Sequence, residues 1–255
     1  MAATTIPSSA LPVATQAPSQ VLAKAADSSS DSTYKLLYFG LHGRGELIRT
    51  LLTYHGAKFE ELTLDWPAMK KDTPFGVLPV VYETTSDGTI LELAEAQAIE
   101  RHLAQKFNLL GANSWEAHLV DRYYTSMETL SNQFFKVMFA PLDKRQAEAE
   151  SFYRDHLPRW VAAHEKHLAQ NGTNGHYVGN ALSLADFKTA LMMDRIQFLV
   201  PQGLEEQVKA LFSKETTPGL WKVRETVNAN ERIAQWRNSE RYAQINAGTK
   251  GFFKF

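Results

Sequence analysis

The sequence predicts an α+β protein with two folded parts, a small mixed-sheet domain followed by an all-helical domain. Between residues 34 and 110, short apolar and aromatic runs alternate with stretches whose apolar residues recur at helical spacing. From residue 113 to 255 the strand-like runs disappear and long helix-favouring stretches replace them. Residues 1–33 match neither pattern and form a separate segment.

Residues 1–33 are rich in Ala, Ser, Thr and Pro, with one lysine and no aromatic residue. They lack the compact apolar run of a secretory signal and the arginines of a mitochondrial one. Such a composition offers little apolar surface to bury, so we predict a disordered tail, with a weak targeting role as the alternative.

The first predicted elements form a strand, a helix and a second strand. Residues 34–39 are a short apolar and aromatic run bounded by Gly40, which indicates a buried strand. A Gly-Arg-Gly-Glu segment then leads into apolar residues at helical spacing, and Gly56 is a typical helix end. Residues 59–64 alternate between apolar and polar, which predicts the second strand.

Two further strands and a helix complete the predicted small domain. Residues 78–83 and 89–91 have strand patterns, and the Ser-Asp-Gly turn at 86–88 separates them. Residues 94–107 carry apolar side chains on one helical face. The predicted order is β-α-β, a connection, then β-β-α, within residues 34–110.

The second half is predicted to be helical throughout. Ser183 with Asp186 three residues later is a capping box, which marks a helix start. The predicted helices cover residues 115–140, 144–169, 183–200, 204–212 and 218–228.

Composition excludes several kinds of function. The formal net charge is -1, which leaves no basic excess for binding nucleic acid. The chain has no cysteine, which excludes disulfides, thiolate metal sites and a cysteine nucleophile. No apolar run approaches the roughly 18 residues of a membrane helix, so we expect no membrane contact.

Four segments together resemble the cytosolic glutathione transferases, most closely the sigma class, to which haematopoietic prostaglandin D synthase belongs. The resemblance covers residues 34 to about 240 and implies a thioredoxin-like domain followed by a helical-bundle domain. The segments are Tyr34-Lys35-Leu36-Leu37-Tyr38-Phe39 with Gly43-Arg44-Gly45-Glu46 and Ile48-Arg49, Asp65-Trp66-Pro67 with Lys70, Pro74-Phe75-Gly76-Val77-Leu78-Pro79-Val80, and Ala98-Ile99-Glu100-Arg101-His102-Leu103-Ala104.

The resemblance implies that Tyr38 is the catalytic tyrosine, assisted by Arg44. A free thiol has a pKa of about 8.5, so glutathione at neutral pH is mostly the unreactive thiol. A phenol that donates a hydrogen bond to the sulfur stabilises the nucleophilic thiolate. Without the resemblance, core packing is the simpler interpretation of Tyr38 and a surface ion pair that of Arg44.

The same resemblance implies a set of glutathione-binding residues. Trp66 and Lys70 would bind the glycyl carboxylate, with a packed tryptophan beside a solvated basic turn as the alternative. Pro79 would follow a cis peptide bond and Leu78 would pair through its main chain with the cysteinyl part of glutathione, the alternative being an ordinary trans-proline at a sheet edge.

Glu95 and Ala96 take the places where the family usually has Gln-Ser or Glu-Ser. Glu95 keeps an acceptor for the γ-glutamyl ammonium, whereas Ala96 keeps its N–H and lacks the hydroxyl. One hydrogen bond to a charged group is worth about 1.5–3 kcal/mol, so we expect weaker glutathione binding. Val77 replaces a basic residue of the family and removes another contact.

Phe134, Phe135 and Met138 are candidates for an apolar pocket that holds an electrophile. A helix-bundle core accounts for this helical stripe equally well. His164 and His167 are three residues apart, unlike the zincin spacing of four, so we predict a solvated helix face and no metal.

The resemblance therefore implies a glutathione transferase that conjugates glutathione to small hydrophobic electrophiles and forms a homodimer. A glutathione-dependent isomerase or peroxidase uses the same thiolate and remains open. A non-catalytic, crystallin-like binding protein on the same scaffold is the alternative that Ala96 and Val77 favour.

Overall fold

The computed structural model describes residues 4–28, 31–66 and 68–253. By their contacts these residues form two compact units. The first contains the residues up to Phe107 together with Arg232–Phe252, and the second contains Asn108–Glu231 and Phe253. The second unit thus differs from the predicted 113–255 domain, because the segment 232–252 packs with the first unit.

The elements follow the predicted order from residue 33 onward, which confirms the α+β class. The strands are β1 Thr4–Thr5, β2 Thr33–Leu37, β3 Lys58–Thr63, β4 Val80–Thr84 and β5 Ile90–Ala94. The helices are α1 Ser19–Ser28, α2 Glu46–His55, α3 Ala96–Lys106, α4 Ser114–Phe139, α5 Leu142–Ser151, α6 Leu157–Gln170, α7 Leu184–Phe198, α8 Glu205–Leu211, α9 Pro218–Asn228, α10 Glu231–Arg237 and α11 Glu240–Phe252.

The sheet has the strand order β1-β3-β2-β4-β5. β1, β3 and β2 are parallel, whereas β4 is antiparallel to both β2 and β5. A single row of paired residues crosses four strands: Leu62, Leu37, Val80 and Ala94. Consequently the ends of β3, β2 and β5 and the start of β4 all lie at the same end of the sheet.

One face of the sheet packs against α3. Tyr34 and Leu36 project to this face, because side chains alternate along a strand. The ring of Tyr34 meets that of Phe107, directly after α3, at a centroid distance of 6.5 Å. Phe107 in turn stacks on His55 at the end of α2, so both helices contribute to this layer.

The opposite face is covered in part by the N-terminal segment. Its central apolar cluster consists of Leu37, Leu62, Val80 and Tyr82, and Ile6 and Leu11 pack against that cluster. The structure therefore differs from the predicted disordered tail over the described residues 4–28. Composition averaged over 33 residues missed this contact, because two well-placed apolar side chains suffice to bind an exposed apolar sheet face.

The second unit is built from helices around α7, most of whose residues are buried on every side. The predicted capping box is confirmed, with the backbone N–H of Ser183 donating to Asp186 at 2.8 Å. The single helix predicted over 144–169 is instead divided by a π-helical turn at Phe152–His156. Across the described residues, no helix has the length and apolar character required to cross a membrane.

Candidate active site

Four of the sequence-predicted site residues meet at one end of the sheet. Tyr38 directly follows β2, Trp66 follows β3, Pro79 precedes β4 and Glu95 follows β5. Because the paired row described above fixes these strand ends side by side, the fold brings together residues that are up to 57 positions apart (38 to 95) in the sequence.

The Tyr38 phenol is held by main-chain groups of the loop that follows it. Its side chain is 7% exposed, and its oxygen accepts a hydrogen bond from the backbone N–H of Arg44 at 2.8 Å. A side chain at Gly43 or Gly45 would overlap the phenol. Because both residues are glycine, the loop can approach closely enough to fix the oxygen in place.

Arg44 and Arg49 differ in how they meet this tyrosine. The contact recorded for Arg44 is through its main chain, and its side chain is exposed. Arg49 is fully buried, with its guanidinium carbon 5.6 Å from the centre of the Tyr38 ring. Arg49 also donates to the carbonyl oxygens of Phe39 and Leu41 at 2.9 and 3.0 Å, which fixes the start of the loop.

Glu61 supplies the buried counter-charge for Arg49. It accepts hydrogen bonds from Arg49 and, at 2.8–2.9 Å, from Arg241 on α11. Burial alone would raise the pKa of Glu61, but the hydrogen bonds and charges of the two arginines outweigh burial and hold the pKa below its ordinary value. The sequence alone indicated no role for Arg49, Glu61 or Arg241.

Helix α11 also fastens the middle of the loop. The backbone N–H of His42 donates to the buried hydroxyl of Thr249 at 2.7 Å, and its ring nitrogen Nε2 lies 2.7 Å from Oδ1 of Asn246. A side chain at Gly248 would overlap the carbonyl oxygen of Gly40. The loop that carries the Arg44 N–H is therefore held against a helix more than 190 residues later in the chain.

Trp66 and Lys70 lie on the connection after β3. The half-buried Trp66 ring meets that of Phe39 edge-on, with a centroid distance of 5.9 Å. Lys70 is exposed and begins a 3-10 turn, and its carbonyl accepts from the Thr73 hydroxyl at 2.9 Å. The backbone of Lys70 is thus fixed while its ammonium group remains on the surface.

The Leu78–Pro79 peptide bond is cis, as predicted. Leu78 packs against the apolar cluster on the sheet face. Two residues just before it are exposed, Phe75 at 68% and Val77 at 40%. The connection from β3 to β4 is therefore anchored at Leu78, and the residues just before Leu78 present apolar side chains at the surface.

Glu95 adopts a backbone conformation that non-glycine residues rarely take. Its φ is 68° and its ψ is 113°, directly before α3. Ala96 is the first residue of that helix and is 6% exposed, and helix N-termini present N–H groups that favour anions. Strain of this kind persists where the surrounding structure imposes it, often at a binding site, and no sequence signal indicated it.

The predicted apolar-pocket residues all lie on α4 in the second unit. Phe134 and Met138 are core side chains, 0% and 3% exposed, and the Phe134 ring packs on Phe152. Phe135 is half-buried, stacks on Phe139 and lies under the Arg195 guanidinium. Of the three predicted residues, only Phe135 keeps appreciable surface.

His164 occupies the core of the second unit, so its side chain does not lie on the predicted solvated helix face. Its Nε2 lies 2.9 Å from the hydroxyl of Ser126 and its Nδ1 lies 2.8 Å from that of Tyr177. Burial, followed by the nearby charge of His167, lowers the pKa of His164 to about 3. The imidazole is therefore neutral in the native state and bridges two hydroxyl groups.

A mixed sheet with a cis-proline beside a loop-held tyrosine, joined to a helical unit, defines the class of thioredoxin-like, glutathione-using enzymes. A family model described as "Glutathione S-transferase, C-terminal domain" matches residues 128–240. A glutathione S-transferase of Dirofilaria immitis is 32% identical over 178 residues, covering 68% of this chain and 82% of that relative. The chain therefore belongs to the glutathione S-transferase family and is a transferase.

Solved structures agree with this assignment. The Fasciola hepatica sigma class enzyme superposes with a TM-score of 0.69 at 27% identity, covering 81% of this chain and 96% of that one. Rat hPGDS in complex with a quinoline gives a TM-score of 0.66 at 26% identity, covering 80% and 95%. The predicted fold, a thioredoxin-like unit with a helical unit, is thereby confirmed.

Proposed function

We propose that this chain is a sigma-class-like glutathione transferase in which the Tyr38 phenol activates the thiol of glutathione for attack on small hydrophobic electrophiles. The observation that carries the proposal is the position of the Tyr38 oxygen. It lies at the sheet end that also holds Trp66, Pro79 and Glu95, fixed by the N–H of Arg44 at 2.8 Å.

The chemistry follows from hydrogen bonding to the charged form of the sulfur. The Tyr38 O–H donates to the sulfur and favours the thiolate over the thiol. The Arg44 N–H donates to the same phenol oxygen, and a phenol that accepts one hydrogen bond donates a stronger one. Catalysis then consists of thiolate stabilisation together with proximity of the two substrates.

The remaining predicted residues would hold the rest of the tripeptide. The main chain of Leu78 pairs with the cysteinyl part, as an added strand. Lys70 and the Trp66 indole N–H bind the glycyl carboxylate. Glu95 accepts from the γ-glutamyl ammonium, and the N–H of Ala96 at the start of α3 binds the γ-glutamyl carboxylate.

The apolar side chains of α4 remain the candidates for holding the electrophile. Phe135 is the predicted pocket residue with surface to offer, and Phe134 and Met138 support it from the core. Conjugation in the cytoplasm, in the manner of a detoxifying enzyme, is the reaction we propose. Glutathione-dependent isomerisation is a second candidate, supported by the likeness to rat hPGDS.

We further propose a homodimer. The exposed Phe75 and Val77 on the connection before Leu78 present an apolar surface that a second copy would bury.

The test of glutathione binding compares Lys70→Met with Lys71→Met. Both lysines are exposed neighbours in the same 3-10 turn, so the two variants remove the same charge from nearly the same place. Losing one charge-assisted contact should weaken glutathione binding by about tenfold or more in Lys70→Met only. Titration calorimetry with glutathione measures this, and equal affinities of the two variants would remove Lys70 from the site.

The test of catalysis is turnover by the unmodified protein with a panel of electrophiles of different chemistry. We expect conjugation of at least one of them. Glutathione binding without turnover on the whole panel would favour the non-catalytic, crystallin-like alternative.

A further inference from the structure

The N-terminal strap, defined as residues 4–18, crosses the face of the sheet beside the connection that carries Trp66, Lys70 and Leu78. We infer that this strap is a positioning element for that connection, described over residues 64–66 and 68–78, and thereby sets the affinity for glutathione. The affinity part of the inference rests on the function proposed above. The structural part, in which the strap orders the connection, does not rest on that function.

The strap is hydrogen-bonded at both edges of the sheet. At one edge, β1 pairs with β3 and the N–H of Ile6 donates to the carbonyl of Thr63 at 3.0 Å. At the other edge, Thr15 and Ile90 exchange two hydrogen bonds of 2.9 Å, one from each backbone N–H. The strap is therefore fixed at both ends and spans the whole sheet between them.

Between these ends the strap and the connection share one apolar cluster. Ile6 and Leu11 of the strap pack against the buried cluster formed by Leu37, Leu62, Val80 and Tyr82. Leu64 and Leu78 pack against the same cluster. Because Leu64 is the first residue of the connection and Leu78 the last, the strap and both ends of the connection lie on one shared apolar cluster.

A polar contact ties the strap to the middle of the connection. The Ser8 hydroxyl donates to Oδ2 of Asp72 at 2.6 Å. Asp72 closes the 3-10 turn that Lys70 begins, and its N–H donates to the carbonyl of Met69. The contact thus lies two residues from the lysine proposed to bind the glycyl carboxylate.

The strap and bound glutathione should stabilise the same ordered form of the connection. If the strap is displaced, the apolar cluster under both ends of the connection loses Ile6 and Leu11, and the connection loses the hydrogen bond at Asp72, so that binding must then order it. Such a cost weakens binding without touching the sulfur. Tyr38 is contacted by Arg44 and Arg49, and α11 holds the loop that follows it; none of these is a strap residue.

The experiment uses the full chain with Ile6→Asp/Leu11→Asp and the control Val13→Asp/Val21→Asp. Ile6 and Leu11 are half-buried on the cluster, whereas Val13 and Val21 are 79% and 54% exposed in the same N-terminal segment. Both double variants add the same charge, but only the first should displace the strap.

Hydrogen exchange of the ligand-free protein gives the first readout. Amides of residues 64–78 should exchange about tenfold faster in Ile6→Asp/Leu11→Asp, and should be unchanged in the control. The second readout is the binding of glutathione. Its dissociation constant should rise about fivefold or more, within the usual range of coupling between sites, while the pKa of the bound thiol stays the same.

Equal exchange of residues 64–78 in both double variants would overturn the inference, as would tighter glutathione binding after displacement of the strap. If the unmodified chain fails to bind glutathione, the proposed function fails, and the exchange result still decides whether the strap orders the connection. Should Ile6→Asp/Leu11→Asp not fold, Ser8→Ala with Ser9→Ala as control provides the same comparison at the Asp72 contact.

Discussion

Main-chain groups of its own loop contact both the oxygen and the ring of Tyr38. The phenol oxygen receives an N–H from Arg44, and glycines at 43 and 45 bring the backbone against the ring. A backbone donor keeps its position and charge at every pH, unlike a flexible charged side chain. The effect of Tyr38 on the glutathione thiol therefore depends on how firmly the loop holds the Arg44 N–H in place.

Ala96 is the residue at which this site departs most clearly from its family. Ala96→Ser restores a hydroxyl at the first position of α3, where the proposed γ-glutamyl carboxylate lies. We expect glutathione to bind about 10- to 100-fold more tightly, since a hydrogen bond to a charged group contributes about 1.5–3 kcal/mol. Calorimetry of Ala96→Ser beside Ala98→Ser, an exposed position on the same helix, measures this. No gain over Ala98→Ser would place the γ-glutamyl group elsewhere.

Residues with a local signature were foreseen, and residues defined by distant contacts were not. The cis bond before Pro79 followed from a short segment that resembles the family, and the structure confirms it. By contrast, the functions of Arg49 and His42 depend on Glu61, Asn246 and Thr249, which lie far away in the sequence. The positive φ of Glu95 depends likewise on how β5 meets α3.

At the scale of elements, α11 is the support of the loop after β2. It holds the loop through the Thr249 hydroxyl, the Asn246 amide and the close approach of Gly248, and it adds Arg241 to the buried Glu61. The buried Thr249 hydroxyl also donates to the carbonyl of Ile245 at 2.7 Å, which fixes its orientation as an acceptor for the His42 N–H.

Thr249→Val tests this support by removing the hydroxyl while keeping the shape. The buried His42 N–H then loses its acceptor, which costs about 1–3 kcal/mol, and the loop loosens. We expect a lower kcat and a raised pKa of the bound thiol, with a smaller change in KM for glutathione. The pH profile of kcat measures this effect. Thr249→Ser retains the hydroxyl and should behave like the unmodified chain, whereas equal profiles for Val and Ser would show that α11 does not position the loop.

Elements whose apolar residues recur at a regular spacing were predicted well, whereas the N-terminal strap and α11, which pack against them, were not. The strands from residue 33 to 94 and helices α3, α4, α7 and α9 appear where the pattern of apolar residues placed them. The N-terminal strap and α11 instead take their places from tertiary contacts. Their own composition is polar and rich in small residues, so it carries little sign of the surfaces they cover.

At the scale of the whole molecule, buried ionisable groups determine how stability responds to acid. The folded-state pKa of His164 is about 3, below the unfolded value near 6.5. The native state therefore holds this imidazole neutral. Its contribution to stability is complete above pH 6.5 and is lost as the pH falls from 6.5 toward 3.

His164→Gln should flatten this dependence, because the amide keeps hydrogen-bonding groups near Ser126 and Tyr177 but does not titrate. The free energy of unfolding of the unmodified chain should fall by up to roughly 1.4 kcal/mol per pH unit more steeply than that of the variant between pH 6 and 4. Urea denaturation at several pH values measures both. His156→Gln, at an exposed position, is the control, and parallel curves for all three proteins would contradict the account.

Glu83 adds a second acid-sensitive group, in the first unit. Burial alone would raise the pKa of its carboxyl, but hydrogen bonds from His102, Lys106 and Ser32 together with the Lys106 charge lower it to about 2. Stability from this carboxylate is present above the unfolded value near 4.5 and is lost as the pH falls from 4.5 to about 2. The two units should therefore weaken over different pH ranges.

The pKa of the glutathione thiol bound to this protein tests the central claim most directly. It is obtained by titrating the ultraviolet absorbance of the thiolate in the unmodified chain, in Tyr38→Phe and in Tyr34→Phe. Tyr34 lies on the same strand, so its variant removes the same atom from a buried position away from the site. We predict a bound-thiol pKa at least about one unit below the free value of about 8.5 in the unmodified chain and in Tyr34→Phe, and a return to nearly 8.5 in Tyr38→Phe. An equally low pKa in Tyr38→Phe would contradict the account.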